Sequence, residues 1–420
     1  MKDKFLGIVN HPLARNFFVY SFGALFLKGV SFLLLPLYTK LLSPAEYGIL
    51  DLLSTFANVL DITLSLGLLS VIIIEYYHHD DEGRKKMFHS IISIFISIST
   101  LLYLIALAIA IVNKEAIFPE VNTSLIIFVT ATSYLTFFQS FIVLILKQQE
   151  RATTATLLQV GAGIISVILN VLFVYGMSLG VQGIIWSSFI GVLLFSIYSW
   201  YFIFKEIEFK FNLNKEVLKN YLALGLPFIP NAITLWLMTS ANRWILLKYS
   251  DLDSVGYFSL AFKFSSLFDP LIIQPFLGAY TPRILNRFKT GDYRQPISSI
   301  VIAGIPGFLI AGFVLQYVAQ LMIDPKFSPS LILIPILVFS SYFSLMAQVS
   351  AYILVFRKKV IPMVVAISAA SILGVLANFI LVPKYGGLGS AIAANIGGLI
   401  WFAAIYYLQR KERILLANGH

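Results

Sequence analysis

The sequence predicts an all-α membrane protein: twelve transmembrane helices in two six-helix, pseudo-symmetric bundles. Three observations predict it. The 420 residues are 59% hydrophobic and only 12% charged, with a mean hydropathy of +0.87, whereas soluble domains sit near 45–50% apolar and about 25% charged. Lys and Arg gather in alternate connectors. Stretches of sequence recur at an offset of 208 residues.

Runs of roughly 20 apolar residues, each long enough to cross the hydrocarbon layer, define the elements in order. Their centres fall on Ala24, Val59, Ser99, Thr132, Gly163, Gly191, Thr234, Ser266, Pro306, Ser344, Ala370 and Gly398. The first run follows basic residues but has no small-residue cleavage site, so it reads as a retained helix rather than a signal peptide. Helices two and eight open on the turns "LSPAEYG" and "SDLDSVGY". Basic clusters separate two from three (Arg84, Lys85, Lys86), four from five (Lys147, Arg151), six from seven (Lys205 to Lys219), eight from nine (Arg283 to Arg294) and ten from eleven (Arg357, Lys358, Lys359). "PKYGG" divides eleven from twelve. The connectors are too short to hold a soluble domain.

With the N-terminus inside, the inner segments hold 22 Lys and Arg and the outer ones five: Lys40, Lys114, Lys248, Lys326 and Lys384. Basic residues in short loops stay on the cytoplasmic side, so both termini are expected there. The net charge of +10 is then mostly topology, and no nucleic-acid partner is needed to explain it. Cysteine is absent, which excludes disulfides, a thiolate nucleophile and Cys-ligated metal.

The repeat places Gly48 over Gly256, Asp61 over Asp269, Tyr134 over Tyr342 and Asn170 over Asn378. After a two-residue gap, Gly180, Gly183 and Gly191 fall on Gly386, Gly389 and Gly397. Two lobes follow, residues 1–208 and 209–420. Six helices per lobe is an even number, so both lobes enter from the same side as a parallel repeat, an arrangement whose substrate site is expected between them near the midplane.

At 100° per residue, Asp51, Ser54, Thr55, Asn58, Asp61 and Ser65 share one arc of about 120°, so helix two has a polar face. The corresponding arc of helix eight holds Ser259, Lys263, Ser266 and Asp269. Helix one adds Lys28, and helix seven adds Asn231 and Arg243. A charge at mid-span costs about 2.5–3.5 kcal/mol on insertion scales, so Lys28 and Lys263 are expected in a wet cavity where an anion meets them. Arg243 either joins them or snorkels to the interface. Asp51, Asn58, Ser266 and Asn231 are expected to line the cavity. Asp61 and Asp269 are either ion-pair partners of the lysines or carriers of a coupling ion. Tyr134 and Tyr342 either stack on sugars or pack between helices. "HHDDEGRKK" reads as a solvated turn, with no metal. Neither a serine triad nor a phosphate-cradling loop occurs, so no enzymatic activity and no cofactor are expected.

The stretches "LLSPAEYGILDLLSTFANVLD", "TSANRWILLKYSDLDSVGYFSLAFK" and "VPKYGGLGSAIAANIGG" carry a resemblance. The chain resembles the oligosaccharide flippases of the polysaccharide synthesis family, within the multidrug/oligosaccharidyl-lipid/polysaccharide exporter superfamily, O-antigen repeat-unit flippases included. The motifs are the turn before helix two, Asn242 and Arg243 late in helix seven, Gly256 and Tyr257 opening helix eight, and the Pro-Lys-Tyr-Gly turn. The resemblance implies a V-shaped, two-lobed exporter in the bacterial cytoplasmic membrane. It moves an undecaprenyl-pyrophosphate-linked glycan to the outer leaflet by alternating access, acts as a monomer and works beside the glycan polymerase machinery. Lipid-II flippases of that superfamily usually carry two further helices. The alternatives are a cation-coupled multidrug antiporter of the same superfamily, a lipid scramblase, and a membrane glycan polymerase or ligase.

Overall fold

The computed structural model describes residues 12–293 and 297–417; Lys2, Lys4, Arg294 and both termini lie outside the described residues. Among these, every regular element is helical. Twelve membrane helices can be followed: α1 Pro12–Leu33, α2 Pro44–Ser65, α3 Asp81–Val112, α4 Thr123–Gln148, α5 Ala152–Gly176, α6 Gly180–Ile207, α7 Lys215–Tyr249, α8 from Leu252–Ser265 through Gln274–Lys289, α9 Ile297–Met322, α10 Leu333–Phe356, and α11 and α12 across 360–417. The last two are separate helices that meet at a kink at Gly386, whose φ of 53° is non-helical and strained for any residue with a side chain. Many large apolar side chains along these spans are exposed, such as Val112, Ile310 and Ile361, as lipid-facing surfaces require.

Short polar side chains start the helices by satisfying backbone N–H groups that have no carbonyl a turn earlier. Asp80 caps α3 through Gly83 N at 2.8 Å, Asn122 caps α4, and Asn214 caps α7. Ser43 and Glu46 bond reciprocally to each other's backbone N–H at 3.1 and 2.8 Å, a capping box on α2. Asp251, the repeat equivalent of Ser43, caps α8 through Ser254 N at 2.7 Å. The repeat returns in the backbone as well. Glu150 and Lys358 both turn left-handed, at φ 57° and 55°, between the fourth and fifth helices of their halves. Gly180 and Gly386 both do so at the start of the sixth, at 55° and 53°.

Two compact units result, one of Met1–Leu41 with Leu53–Ala232 and one of Leu42–Leu52 with Ile233–His420. These contact units differ from the 1–208 and 209–420 division of the sequence in two places. The first part of α7, Lys215–Gly225, packs Leu218, Tyr221 and Leu222 on the core of unit 1, and Gly225 lies so close to Gly67 that a Cβ on Gly67 would strike its carbonyl oxygen. Pro227, which cannot extend that hydrogen-bond ladder, separates this segment from Phe228–Tyr249. The second difference is Leu42–Leu52, the opening turns of α2, whose contacts are with α7 and α8.

The core of unit 1 is aromatic: Phe95 stacks on Phe137 at 3.6 Å between centroids, with Phe138 and Phe141 around them. In unit 2, one core gathers Ile284, Phe288, Ile353, Leu354 and Ile405. Arg151 at the start of α5 pairs with Glu206 at the end of α6, 3.0 Å apart. In unit 2 the equivalent Lys359 pairs with the equivalent Glu412, at 2.6 Å.

Candidate functional site

Within unit 2, the starts of α2 and α8 cross backbone on backbone. A Cβ on Gly48 would land on the carbonyl oxygen of Leu252, and one on Gly256 on that of Pro44. Those two glycines are repeat equivalents, and so are the next polar residues to meet: Asp51 Oδ2 accepts from Ser259 Oγ at 2.7 Å, across a sequence separation of 208. Elements that touch their own equivalents do so about a two-fold. The crossing of α2 and α8 therefore has a local pseudo-two-fold axis, and only glycine lets the helices come this near.

The same Asp51 oxygen accepts from Arg243 Nε at 2.9 Å. Arg243 does not snorkel: its side chain is 4% exposed, its Nη1 donates to Thr239 O and to Asn242 Oδ1, and its guanidinium lies 4.1 Å from the Phe262 ring centroid and 5.3 Å from that of Phe258. A guanidinium over an aromatic face gains from the ring quadrupole. Arg243, expected either to join the lysines or to snorkel, is buried, and its Nε and Nη1 donors serve Asp51, Thr239 and Asn242. Asp51, expected as a cavity-lining or ion-coupling group, is its ion-pair partner.

One turn beyond Ser259 stands Lys263, half-buried on the same face of α8 and within electrostatic range of Asp51. No ion pair to Lys263 occurs among the described residues. The cluster therefore holds two cations and one carboxylate, and the excess positive charge is that of Lys263. Beside Asn242 a small cavity in unit 2 is lined by Ser371, Gly374, Asn378 and Gly397, where Asn378 accepts from Ser390 at 2.9 Å.

The other expected residues separate. Lys28 on α1 is exposed, as are Asn58 and Asn231. Asp61 is half-buried in unit 1 with Ser133 in hydrogen-bonding reach and its Oδ1 wholly buried without a partner. Asp269 is exposed and accepts from Gln274 Nε2 at 3.1 Å. It begins a widened turn, Asp269–Ile273, where Pro270 has no N–H to continue the ladder. Neither acid pairs with a cation among the described residues. Ser266 is exposed, and its hydroxyl donates to Lys263 O. Tyr134 shares a 2.7 Å hydrogen bond with Thr100 and tilts against Phe95 and Tyr103. Tyr342 is 2% exposed, enclosed by Phe308, Phe339 and Phe343. No face of that ring is open to a sugar, so of the two expected roles its surroundings fit packing between helices. In "HHDDEGRKK" Arg84 pairs locally with Asp81 and Lys86 with Glu82, while Lys85 reaches Glu208.

The residues sequence reasoning missed are Ser133, Thr239 and the glycine crossing itself. Ser259 and Asn242 stood on polar faces, but nothing local marked their partners.

The family described as polysaccharide biosynthesis protein matches residues 13–287. No curated protein matches the chain. Among solved structures, the chain is similar to a lipid II flippase, MurJ, in its inward closed conformation, at TM-score 0.75 and 17% identity, covering 96% of this chain and 90% of that one. An inward-facing multidrug resistance MATE transporter of the MOP superfamily gives TM-score 0.70 at 16% identity, with 93% and 96% covered. A MOP superfamily transporter from Pyrococcus furiosus, whose binding pocket has reversed polarity, gives 0.59 at 16% identity, with 98% of each chain covered. These likenesses establish the twelve-helix exporter fold.

Proposed function

The chain belongs to the polysaccharide biosynthesis protein family, and from that premise we propose that it is a flippase for undecaprenyl-pyrophosphate-linked oligosaccharide repeat units. It carries them from the cytoplasmic to the outer leaflet of a bacterial inner membrane by alternating access. The observation that carries this reading is the unmatched cation. Within the Asp51–Arg243–Ser259–Lys263 cluster the acid is already held by Arg243, which leaves Lys263 to a diphosphate.

A diphosphate cannot enter hydrocarbon without replacement of its hydration, and charge-assisted hydrogen bonds from ammonium groups supply that replacement. Lys28, exposed on α1, is the second such donor. Asn58, Asn231 and Ser266, all exposed, offer neutral hydrogen bonds to the sugars. An inside-negative potential favours outward movement of negative charge by about 2.3 kcal/mol per charge per 100 mV. Asp61 is the acid suited to ion coupling, because it alone of the repeated pair is sheltered and has a free oxygen. Both termini face the cytoplasm, the transporter works as a monomer, and glycan polymerase machinery takes the delivered unit.

A multidrug antiporter is disfavoured by the same lysine, since a cationic drug would be repelled there. The test is Lys263→Ala and Lys28→Ala in cells, scored for surface glycan against membrane expression of the protein. Loss of glycan at normal expression is expected from Lys263→Ala. Full glycan from both variants would overturn the reading.

A further inference from the structure

Within each unit, charged connectors gather at one membrane end: after α2, α4 and α6 in unit 1, and after α8, α10 and α12 in unit 2. From Glu75 to Lys86, Lys147 to Arg151 and Lys205 to Lys219, nine basic residues stand with eight acidic ones. From Arg283 to Tyr293, Arg357 to Lys359 and Arg410 to Arg413, nine basic residues stand with only two acidic ones, Asp292 and Glu412. Lys and Arg set orientation in the membrane, and Asp and Glu add little to it. Topology therefore accounts for the basic residues of both units but not for the scarcity of acids in unit 2.

The excess charge is organised. Phe288 at the end of α8 meets the edge of Phe356 at the end of α10, and the connector after Phe356 is joined to α12 through Glu412. That carboxylate is buried. It accepts from Lys359 Nζ at 2.6 Å and lies 3.7 Å from Arg357 Nε, so one buried acid braces two cations that both remain partly open to solvent. The triad carries one net positive charge. In unit 1, Gln149 stands at the position equivalent to Arg357, and the equivalent pair of Arg151 and Glu206 is neutral. Around the triad Lys358, Lys411 and Arg413 are exposed, and none of them pairs with an acid among the described residues.

Apolar side chains adjoin these charges. Tyr406 and Tyr407 are exposed in the turn of α12 before Arg410, and Val360 and Ile361 are exposed directly after Lys359. An acidic protein would answer the charges and leave the apolar surface in lipid as before. A phospholipid answers both, since it brings phosphate and acyl chains in one molecule, and tyrosines favour the headgroup boundary. Basic pockets between membrane helices suit such headgroups. A phosphodiester also bears the single negative charge that closes the triad to neutrality.

We propose that the Arg357–Lys359–Glu412 triad of unit 2 is a headgroup site for an anionic phospholipid. Arg357 and Lys359 give charge-assisted hydrogen bonds to the phosphate, Glu412 holds the two cations side by side, and the acyl chains lie along Ile361 and Tyr407. Occupancy of this site is independent of what the transporter carries.

The test is competition between lipids. Purified protein in detergent is given equal amounts of phosphatidylglycerol and phosphatidylcholine with matched chains, and the lipids it retains are counted by native mass spectrometry. The parent is expected to retain phosphatidylglycerol several-fold over phosphatidylcholine. Arg357→Gln leaves the Lys359–Glu412 pair in place and should cut that ratio several-fold. Glu412→Gln raises the net charge by one yet frees both cations, so the ratio should fall, whereas a diffuse electrostatic attraction would make it rise. Glu206→Gln raises the charge of unit 1 equally and should leave the ratio unchanged. Glycerol 3-phosphate, a phosphate without chains, should not displace the lipid, and neither should farnesyl pyrophosphate at the same concentration. A parent without preference, an unchanged ratio in Arg357→Gln or a higher ratio in Glu412→Gln overturns the site. Displacement by farnesyl pyrophosphate also overturns it, by assigning the triad to a lipid diphosphate. If the Glu412 variant does not fold, Arg357→Gln, at an exposed position, keeps the test decisive.

Discussion

Asp61 on α2 and Asp269 on α8 occupy one repeat position, and the two halves treat it oppositely. Asp61 is sheltered, faces Ser133 and keeps one oxygen without a partner. Asp269 is in the open on a turn widened by Pro270, answered by Gln274. The contrast recurs one step earlier: the position that holds Asp51 in the first half holds Ser259 in the second, and the two are bonded to each other. Helix caps, left-handed turn residues and close-approach glycines are common to both halves, because backbone geometry leaves few residue types able to fill them. Polar side chains inside the spans are free of that constraint. Duplication built a symmetric scaffold, and divergence of single side chains on it made an asymmetric charge distribution, with the cationic excess beside α8.

The sharpest way to break this contrast is to remove one charge from the Asp51–Arg243 pair. Asp51→Asn leaves a guanidinium of 4% exposure without its counter-ion, and removing one partner of a buried pair costs about 3–5 kcal/mol. Asp269→Asn, exposed and outside any ion pair of the described residues, should stay within about 0.5 kcal/mol. Thermal unfolding in detergent should therefore lower the midpoint markedly for the first and barely for the second. The double variant Asp51→Asn with Arg243→Met should recover part of the loss, since no buried charge is left over.

Glycines give the next effect. Gly256→Ala drives a methyl group into the Pro44 carbonyl oxygen. That contact is with backbone and cannot swing aside, so a cost of about 1–3 kcal/mol is expected. Gly278, on the later part of α8, has nothing within 4 Å of its built Cβ. Gly278→Ala should gain up to about 1 kcal/mol from helix propensity. Equal midpoints for the two variants would show that the α2–α8 crossing is looser than described.

Smaller still is the difference between the two equivalent ion pairs. Glu412 is 7% exposed, with Lys359 at 2.6 Å and Arg357 at 3.7 Å, whereas Arg151 and Glu206 are 41% and 45% exposed. Glu412→Gln should cost about 1–2 kcal/mol, as loss of a charge-assisted hydrogen bond does. Glu206→Gln should cost under about 1 kcal/mol and nothing measurable in high salt. Unfolding midpoints across a salt series distinguish them.

Hydropathy, charge asymmetry and the repeat were enough to read the twelve spans, because lipid imposes its demand on each span separately. The helical arc of α2 is polar in sequence, but an arc says which face is polar and not what lies opposite. That face is shared out: Asp51 to Arg243 and Ser259, Asn58 to the exterior, Asp61 to Ser133. The partner of Asp51 lies 192 residues away, beyond the reach of any periodicity. Tyr342 shows the same limit, since its hydroxyl-rich surroundings in sequence resemble a sugar platform and only packing reveals the closed ring. The unit boundary within α7 escaped for a related reason: Pro227 marks a break, but the glycine contact that assigns the first segment to unit 1 involves Gly67, a distant residue.

The connector after α6 offers the smallest test. Glu208 turns left-handed at φ 57° and accepts from Lys85 Nζ at 3.0 Å. The hydrogen bond and charge of Lys85 hold its carboxyl below the usual carboxylate range. Just beyond, Asn212 N donates to Ser93 Oγ at 2.9 Å, and the backbone oxygen of Ile207 meets His89 Nε2 at 3.0 Å, so the connector is strapped to α3. A carboxyl depressed in the folded state strengthens its contact above the ordinary carboxylate pKa of about 4.3, and that contribution is lost as the pH falls through the lower folded value. Limited proteolysis of the 208–214 connector with an acid-active protease should therefore be unchanged from pH 7 to pH 5 and quicken modestly as the pH falls below about 4.3. Lys85→Gln should remove the pH dependence, since the group that sets the depressed value is then gone. If the connector of the Lys85→Gln protein remained as pH-sensitive as the parent's, the strap would depend on His89 and Ser93 instead.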